Sequence, residues 1–346
     1  MTFNELWQHR VWCAAIAGSI VIAAPAGFAH ADAPGPTDYL SVIVEVTTSE
    51  SLPLVDDAAI TIEGHDSFLS VTVARGTTVE IPGYEGEKYL KMESDCTAYE
   101  NQRSMSTWYN KDRYGSDFGA DVVDHDAAPD WLQIASNCTL AWHDHRIHYM
   151  SPQPPVNAKP GDVLVSDSIS FTVDGVPVNV RVESSLVERP SLLAPLLAAA
   201  GALLLVVGVN GRTSAALRTL MVAASVLGLV IGGAQYLWAA PGTGPQLTSF
   251  VVPLLATVLS GSALLLNRQS SIQRDGVQLM SSIFLALWVL GRKDVLDSAL
   301  LPTSLPYWVD RAGTAAIGVV ACAAAGYALV GLWQIANVNQ PSPLQE

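Results

Sequence analysis

Residues 168–182 read SISFTVDGVPVNVRV, and this stretch has the pattern of a β-hairpin. Two runs rich in β-branched side chains flank Asp174 and Gly175, a dipeptide that favours a type I′ turn because both of its central residues need a positive φ. Similar short runs, separated by turn residues, recur from residue 39 onwards. No long segment with helical periodicity interrupts the series. The pattern predicts an antiparallel, all-β sandwich of the immunoglobulin or cupredoxin type.

The acidic side chains are concentrated in this β-rich part of the chain. The protein has 346 residues and a formal net charge of −14. Residues 32–189 contain 26 acidic and 10 basic side chains, whereas residues 190–346 contain 5 acidic and 7 basic ones. We therefore expect two unlike regions. Neither has the excess of basic residues that contacts with nucleic-acid phosphates require, so a nucleic-acid partner is not expected.

Long apolar runs dominate the second half of the sequence. A membrane-spanning helix needs about 20 apolar residues, and only the fourth run falls short of this length. The runs contain almost no ionisable side chain, which argues against an energised transporter. We expect a transmembrane region of five helices over residues 190–336, with membrane lipids as partners. The predicted helices cover residues 191–209, 214–239, 247–266, 277–290 and 312–335.

Residues 1–31 have the pattern of a secretory signal peptide. Arg10 precedes a long apolar run, and small residues at Ala29 and Ala31 permit cleavage after either position. The alternative is an uncleaved first membrane helix, because the apolar run is long for a signal peptide. Export by this signal peptide places residues 32–189 outside the cytoplasm. Together with the apolar runs, it predicts a multi-pass protein of the cell membrane. Residues 337–346 are then a cytoplasmic tail.

Two of the four cysteines, Cys96 and Cys138, lie in the region predicted to be exported. Two cysteines in an oxidising compartment are expected to form a disulfide bond. The alternative is a copper centre in which the Cys138 thiolate acts with the histidines and the methionine that follow it.

The histidines are concentrated in residues 142–150, WHDHRIHYM. On a β-strand, His143 and His145 share one face with side chains about 7 Å apart, so both imidazoles can bind one ion. His148 has the opposite parity and joins them only if the strand bulges or ends first. A thioether from Met150 favours copper, with zinc as the alternative. We therefore expect a metal site formed by His143, His145, His148 and Met150.

The same residues also suit a strand face without metal, solvated or hydrogen-bonded. In either arrangement, Asp144 can pair with Arg146 or orient an imidazole. No nucleophile–base pair and no nucleotide-binding or HExxH motif is readable, so we do not expect an enzyme. The leading interpretation is a membrane-anchored binding protein outside the cytoplasm. The alternative is an interaction or structural protein of the cell envelope without metal, with an envelope protein as its partner.

Ten aromatic side chains lie between residues 84 and 149, in a region of long polar loops. Their density argues against disorder. We expect either a small apolar core beneath the loops or an exposed aromatic surface for a sugar or a peptide.

Three segments resemble motifs of a family of uncharacterised actinobacterial membrane proteins. They are residues 83–90 (GYEGEKYL), residues 99–115 (YENQRSMSTWYNKDRYG) and residues 142–150 (WHDHRIHYM). The resemblance implies a secreted β domain followed by a helical membrane region. The overall plan and the histidine and methionine content are also similar to those of exported copper-handling proteins in which a β-sandwich is fused to membrane helices.

Overall fold

The structure is a computed structural model that describes residues 34–52, 59–111, 113–114, 121–124, 126–210, 214–239, 246–265 and 271–338. The predicted signal peptide, residues 1–31, lies outside the described residues. Most of the predicted tail, residues 337–346, also lies outside them.

The first half of the described chain is built of β-strands. Asp174 and Gly175 connect the last two strands with φ values of 48° and 76°, so the hairpin prediction is confirmed. A short helix, α1 (Met105–Tyr109), follows the sixth strand. The described strands are β1 (Tyr39–Thr48), β2 (Ile60–Glu63), β3 (Phe68–Thr72), β4 (Val79–Pro82), β5 (Lys88–Met92), β6 (Ala98–Asn101), β7 (Trp131–Ala135), β8 (Thr139–Trp142), β9 (Val163–Val173) and β10 (Val176–Leu186).

These strands form two antiparallel sheets in the described residues. The larger sheet has the order β1-β10-β9-β4-β5-β6-β7, and the smaller has the order β2-β3-β8. Alternate residues of β10, including Val178, Val180 and Val182, are buried in a core that also contains Leu69 of β3. This alternation is expected where one face of a strand packs on a core. The two-sheet architecture is as predicted, and the immunoglobulin or cupredoxin type stays a prediction.

The disulfide between Cys96 and Cys138 is present, as predicted. Cys96 lies in the turn between β5 and β6, and Cys138 directly precedes β8, so the bond joins the larger sheet to the smaller one. Because both thiols are consumed in this bond, neither can be the thiolate ligand of a copper centre. The alternative of a Cys138-ligated copper site is therefore wrong.

Five helices longer than α1 follow the β-strands in the described part of the chain. The helices are α2 (Leu193–Asn210), α3 (Ser214–Leu237), α4 (Leu247–Leu265), α5 (Ser271–Gly291) and α6 (Tyr307–Val338). Three of them, α3, α4 and α6, are long and apolar enough to cross a membrane, whereas the apolar part of α2 is shorter. Helix α5 begins before the predicted run 277–290 and includes Arg274 and Asp275. The count of five membrane spans stays a prediction.

The β region docks on the segment between α5 and α6. The backbones of Thr37 and Leu300 exchange two hydrogen bonds of 3.0 and 2.9 Å. One carboxylate oxygen of Asp38 accepts a hydrogen bond of 2.8 Å from the backbone N–H of Ala299, and the other pairs with Arg189 at 2.7 Å. These contacts fix the sheets on the helical region.

We expect Asp38→Ala to lower the melting temperature of the full-length protein in detergent by several degrees. The substitution leaves the buried N–H of Ala299 without its acceptor, which costs about 2 kcal/mol. Asp297→Ala is the matched control, because this carboxylate is 52% exposed and lies 3.8 Å from the same Arg189. Exposed pairs contribute about 0.5 kcal/mol, so the control should melt close to wild type. Thermal unfolding of each variant is monitored by tryptophan fluorescence. Equal melting temperatures for the two variants would contradict this account of the docking.

Candidate metal centre

The chain leaves its strand just before the histidines. Strand β8 ends at Trp142, and residues 144–147 form a turn in which the N–H of Ile147 donates a hydrogen bond of 3.1 Å to the carbonyl of Asp144. Strand alternation therefore does not apply to the histidines. The strand ends before the histidines, which is the condition under which His148 is expected to join His143 and His145.

The three imidazoles of His143, His145 and His148 meet in one buried cluster. Each ring offers a nitrogen, and these three atoms all lie within 4.8 Å of one another. The ring centroids are 4.6 to 5.5 Å apart. The side chains are 5%, 8% and 0% exposed, so an ion between them would be shielded from solvent.

Asp144 holds the turn and is not a free ligand. Its fully buried carboxylate accepts hydrogen bonds from the backbone N–H of Arg146 at 3.0 Å and from the indole N–H of Trp142 at 3.2 Å. The guanidinium of Arg146 adds two more, at 2.9 and 2.7 Å. Of the two roles expected for Asp144, pairing with Arg146 is the one observed.

Hydrogen bonds orient His143 and His148. The Nδ1 atom of His143 lies 2.7 Å from the carbonyl oxygen of Ser67, and the Nδ1 atom of His148 lies 3.2 Å from that of Tyr149. A carbonyl oxygen can only accept, so an Nδ1 atom that makes this hydrogen bond carries the proton of its neutral ring and leaves a lone pair on Nε2. The two Nε2 atoms face one another at 2.9 Å.

Burial keeps these two rings neutral. Removal from solvent, assisted by the charge of His145, lowers the pKa of His143 from its ordinary value of 6.5 to about 3. Removal from solvent, assisted by the charge of His143, lowers the pKa of His148 to about 2. Two neutral rings carry two N–H protons, which cannot fill all three contacts, the two with carbonyl oxygens and the one between the Nε2 atoms. A cation bound to both Nε2 atoms takes the place of a proton between them and leaves both Nδ1 protons to the carbonyl oxygens.

Aromatic residues enclose the third imidazole. The ring of Tyr109, at the end of α1, lies 4.4 Å from that of His145 in an edge-on arrangement. The hydroxyl of Tyr84 accepts a 3.0 Å hydrogen bond from the backbone N–H of His145 and donates one of 2.5 Å to Asn110. Part of the aromatic region therefore forms the wall of the histidine cluster. Neither Tyr84, Tyr109 nor Ser67 was identified as a site residue from the sequence.

Met150, the fourth predicted ligand, lies two residues after His148 and is half-buried. No contact places its sulfur against the cluster in the part of the chain that the structure describes, and its role as a ligand stays a prediction. The structure brings together the other three predicted ligands.

No family model, no curated protein and no solved structure matches this chain. The resemblance to actinobacterial membrane proteins therefore stays a prediction.

The low pKa values of His143 and His148 predict that acid destabilises the metal-free protein. The unfolded chain takes up protons near pH 6.5, well before the folded chain does, so the free energy of unfolding falls as the pH drops below 6.5. Each ring contributes up to about 1.4 kcal/mol per pH unit. Melting temperatures measured with a chelator at pH 7, 6 and 5 should fall more steeply for wild type than for the double variant His143→Gln, His148→Gln. Parallel pH profiles would contradict the burial of these rings as neutral groups.

Proposed function

We propose that the chain is a membrane-anchored protein that binds a transition-metal ion through His143, His145 and His148. One observation carries the proposal: three buried imidazoles each offer a nitrogen, and these nitrogens all lie within 4.8 Å of one another. Ligand nitrogens around one tetrahedral ion at the usual bond length of about 2.0 Å stand about 3.3 Å apart, so a small adjustment of the rings accommodates an ion. The three apolar helices support the membrane anchor.

The charges around the cluster favour copper, as Cu(I), over zinc. Burial keeps the imidazoles of His143 and His148 neutral, and the nearby carboxylates of Asp66 and Asp144 are already paired with Arg113 and Arg146. The charge of the bound ion is therefore not balanced by a ligand. Burying uncompensated charge is costly, and a monovalent ion costs less than a divalent one. The guanidinium of Arg113, which also lowers the pKa of both His143 and His148, adds to the cost of a second positive charge.

The burial of the site supports binding in preference to catalysis. Catalytic metal centres keep one coordination position open to water and substrate. Here the three histidines are at most 8% exposed, and Tyr109 packs against the outermost of them. We therefore propose that the site holds or hands on an ion, and that no substrate is turned over there.

The disulfide supports a location outside the cytoplasm. Disulfide bonds persist in oxidising compartments, and the bond between Cys96 and Cys138 lies in the same β region as the histidines. Together with the predicted signal peptide, it favours an extracytoplasmic metal site carried by a multi-pass membrane protein.

Three single substitutions test the proposal on the full-length protein in detergent. We expect His143→Ala, His145→Ala and His148→Ala each to weaken Cu(I) binding by at least about 100-fold. Loss of a residue that only orients a metal ligand already lowers metal affinity by about 10- to 100-fold, and loss of the ligand itself should cost at least as much. The measurement is competition with a chromophoric Cu(I) chelator, together with the metal content after loading. His65→Gln is the matched control, since glutamine keeps a donor for the carbonyl of Leu301, and it should retain wild-type affinity.

Two outcomes would contradict the proposal. One is wild-type protein that holds far less than one ion per chain after loading. The other is equal affinity in wild type and the three alanine variants. Either result would favour an envelope interaction or structural protein without metal. Met150→Leu is a separate test of the fourth ligand, and weaker Cu(I) binding in that variant would assign the thioether to the site.

A further inference from the structure

Polar side chains are buried at the end of the helical bundle where α3 and α5 begin. Arg218 of α3 is 6% exposed, and Asp275 and Gln278 of α5 are 8% and 3% exposed. Arg274 stands beside them, 21% exposed. Arg218 is the fifth residue of its helix and Arg274 the fourth, so both lie roughly 6 Å from the helix start, the depth of a lipid headgroup.

The hydrogen-bonding groups of this cluster are incompletely satisfied within the described residues. Both amide atoms of Gln278 are buried and without a hydrogen-bond partner there, as are the Nε atoms of Arg218 and Arg274. The Nε atom of Arg274 lies 3.6 Å from Asp275, too far for a hydrogen bond. Buried polar groups in proteins almost always have a partner, so this cluster calls for a ligand rich in acceptor oxygens.

The charge of this end of the bundle is positive. Asp275 is the only acidic residue in the sequence between residues 190 and 293, and its carboxylate lies 3.6 Å from the guanidinium of Arg274. The sequence adds Arg212 and Arg268 in the two connections next to α3 and α5. The missing partner is therefore an anion.

An apolar groove of about 420 Å³ adjoins the cluster, between α2, α3 and α6. Leu217 in its wall directly precedes Arg218. Val330, on the opposite wall, directly precedes Gly331, and an Oδ atom of Asp275 lies 2.7 Å from the position that a Cβ atom of Gly331 would take. The charged cluster therefore borders the groove along both α3 and α6. The groove is lined by Val206, Leu217, Ala323, Gly326, Tyr327 and Val330.

We propose that this surface binds an anionic phospholipid, with the phosphate at Arg218, Arg274 and Gln278 and an acyl chain in the groove. Charge complementarity selects the lipid class. Two guanidiniums and one carboxylate leave one positive charge, which a phosphodiester balances. A zwitterionic lipid would bring its ammonium group back to an already positive site. A free phosphate would leave the groove unfilled.

Native mass spectrometry of the full-length protein in detergent tests the proposal. The probes are dioleoyl phosphatidylglycerol, dioleoyl phosphatidylcholine and glycerol phosphate at equal concentrations. We expect wild type to bind the anionic lipid at least tenfold more tightly than the other two probes. The double variant Arg218→Gln, Arg274→Gln should lose this preference. Lys159→Gln, Lys293→Gln is the control, because it removes the same charge at exposed positions and should keep the preference.

Val330→Trp tests the groove without a change of charge. The indole should occupy the space of the acyl chain and weaken phosphatidylglycerol binding, while the melting temperature stays near that of wild type. Wild type that binds phosphatidylcholine or glycerol phosphate as tightly as phosphatidylglycerol would overturn the proposal. Undiminished binding by the double arginine variant would overturn it as well. The comparison of the three probes uses the wild-type protein alone, so its outcome does not depend on whether a variant folds.

Discussion

The buried carboxylate of Asp144 is the interaction on which the histidine cluster depends. It accepts hydrogen bonds from Trp142 and Arg146 within five residues of chain, and these bonds end β8 and turn the backbone. Without this turn, His143 and His148 would point to opposite faces of a strand. With it, their Nε2 atoms meet at 2.9 Å. Arg146 neutralises the carboxylate, so the charge that organises the turn does not bind the ion.

The turn between β2 and β3 joins the histidine cluster to the helical region. Ser67 at one end of this turn accepts the hydrogen bond that orients His143. Two residues earlier, His65 contacts the carbonyl of Leu301 at 3.1 Å and packs against the ring of Trp238, at the end of α3. Asp66 between them is fully buried and pairs with Arg113. Three consecutive residues, 65–67, therefore connect the histidine cluster to the helical region, in addition to the contacts of Thr37 and Asp38.

The sequence predicts local features of this fold well. The Asp174-Gly175 hairpin, the β-rich first half and the pairing of Cys96 with Cys138 follow from turn chemistry, alternation and compartment, and the structure has all three. The start of α5 is placed too late from the sequence, because Arg274 and Asp275 were not expected in a helix of the bundle. Their contacts come from helices distant in sequence, which apolar run length does not reveal.

The histidine cluster was predicted in composition but not in geometry. Alternation along residues 142–150 assumes a continuing strand, and a buried aspartate with two neighbouring donors breaks that assumption. An Asp in a strand with an Arg two residues later is itself a sign that the strand ends, because Asp is disfavoured in strands. Ser67 and Tyr84 could not be found from the local sequence. Each reaches the cluster through a contact that spans more than sixty residues.

The central claim is that one metal ion lies among three buried imidazoles. X-ray absorption spectroscopy of the Cu(I)-loaded full-length protein tests it most directly. The account predicts one copper per chain with about three nitrogen scatterers near 2.0 Å and the outer-shell pattern of imidazole rings. The signal should be lost in the double variant His143→Gln, His148→Gln. A first shell dominated by sulfur, or one unchanged in the double variant, would contradict the account.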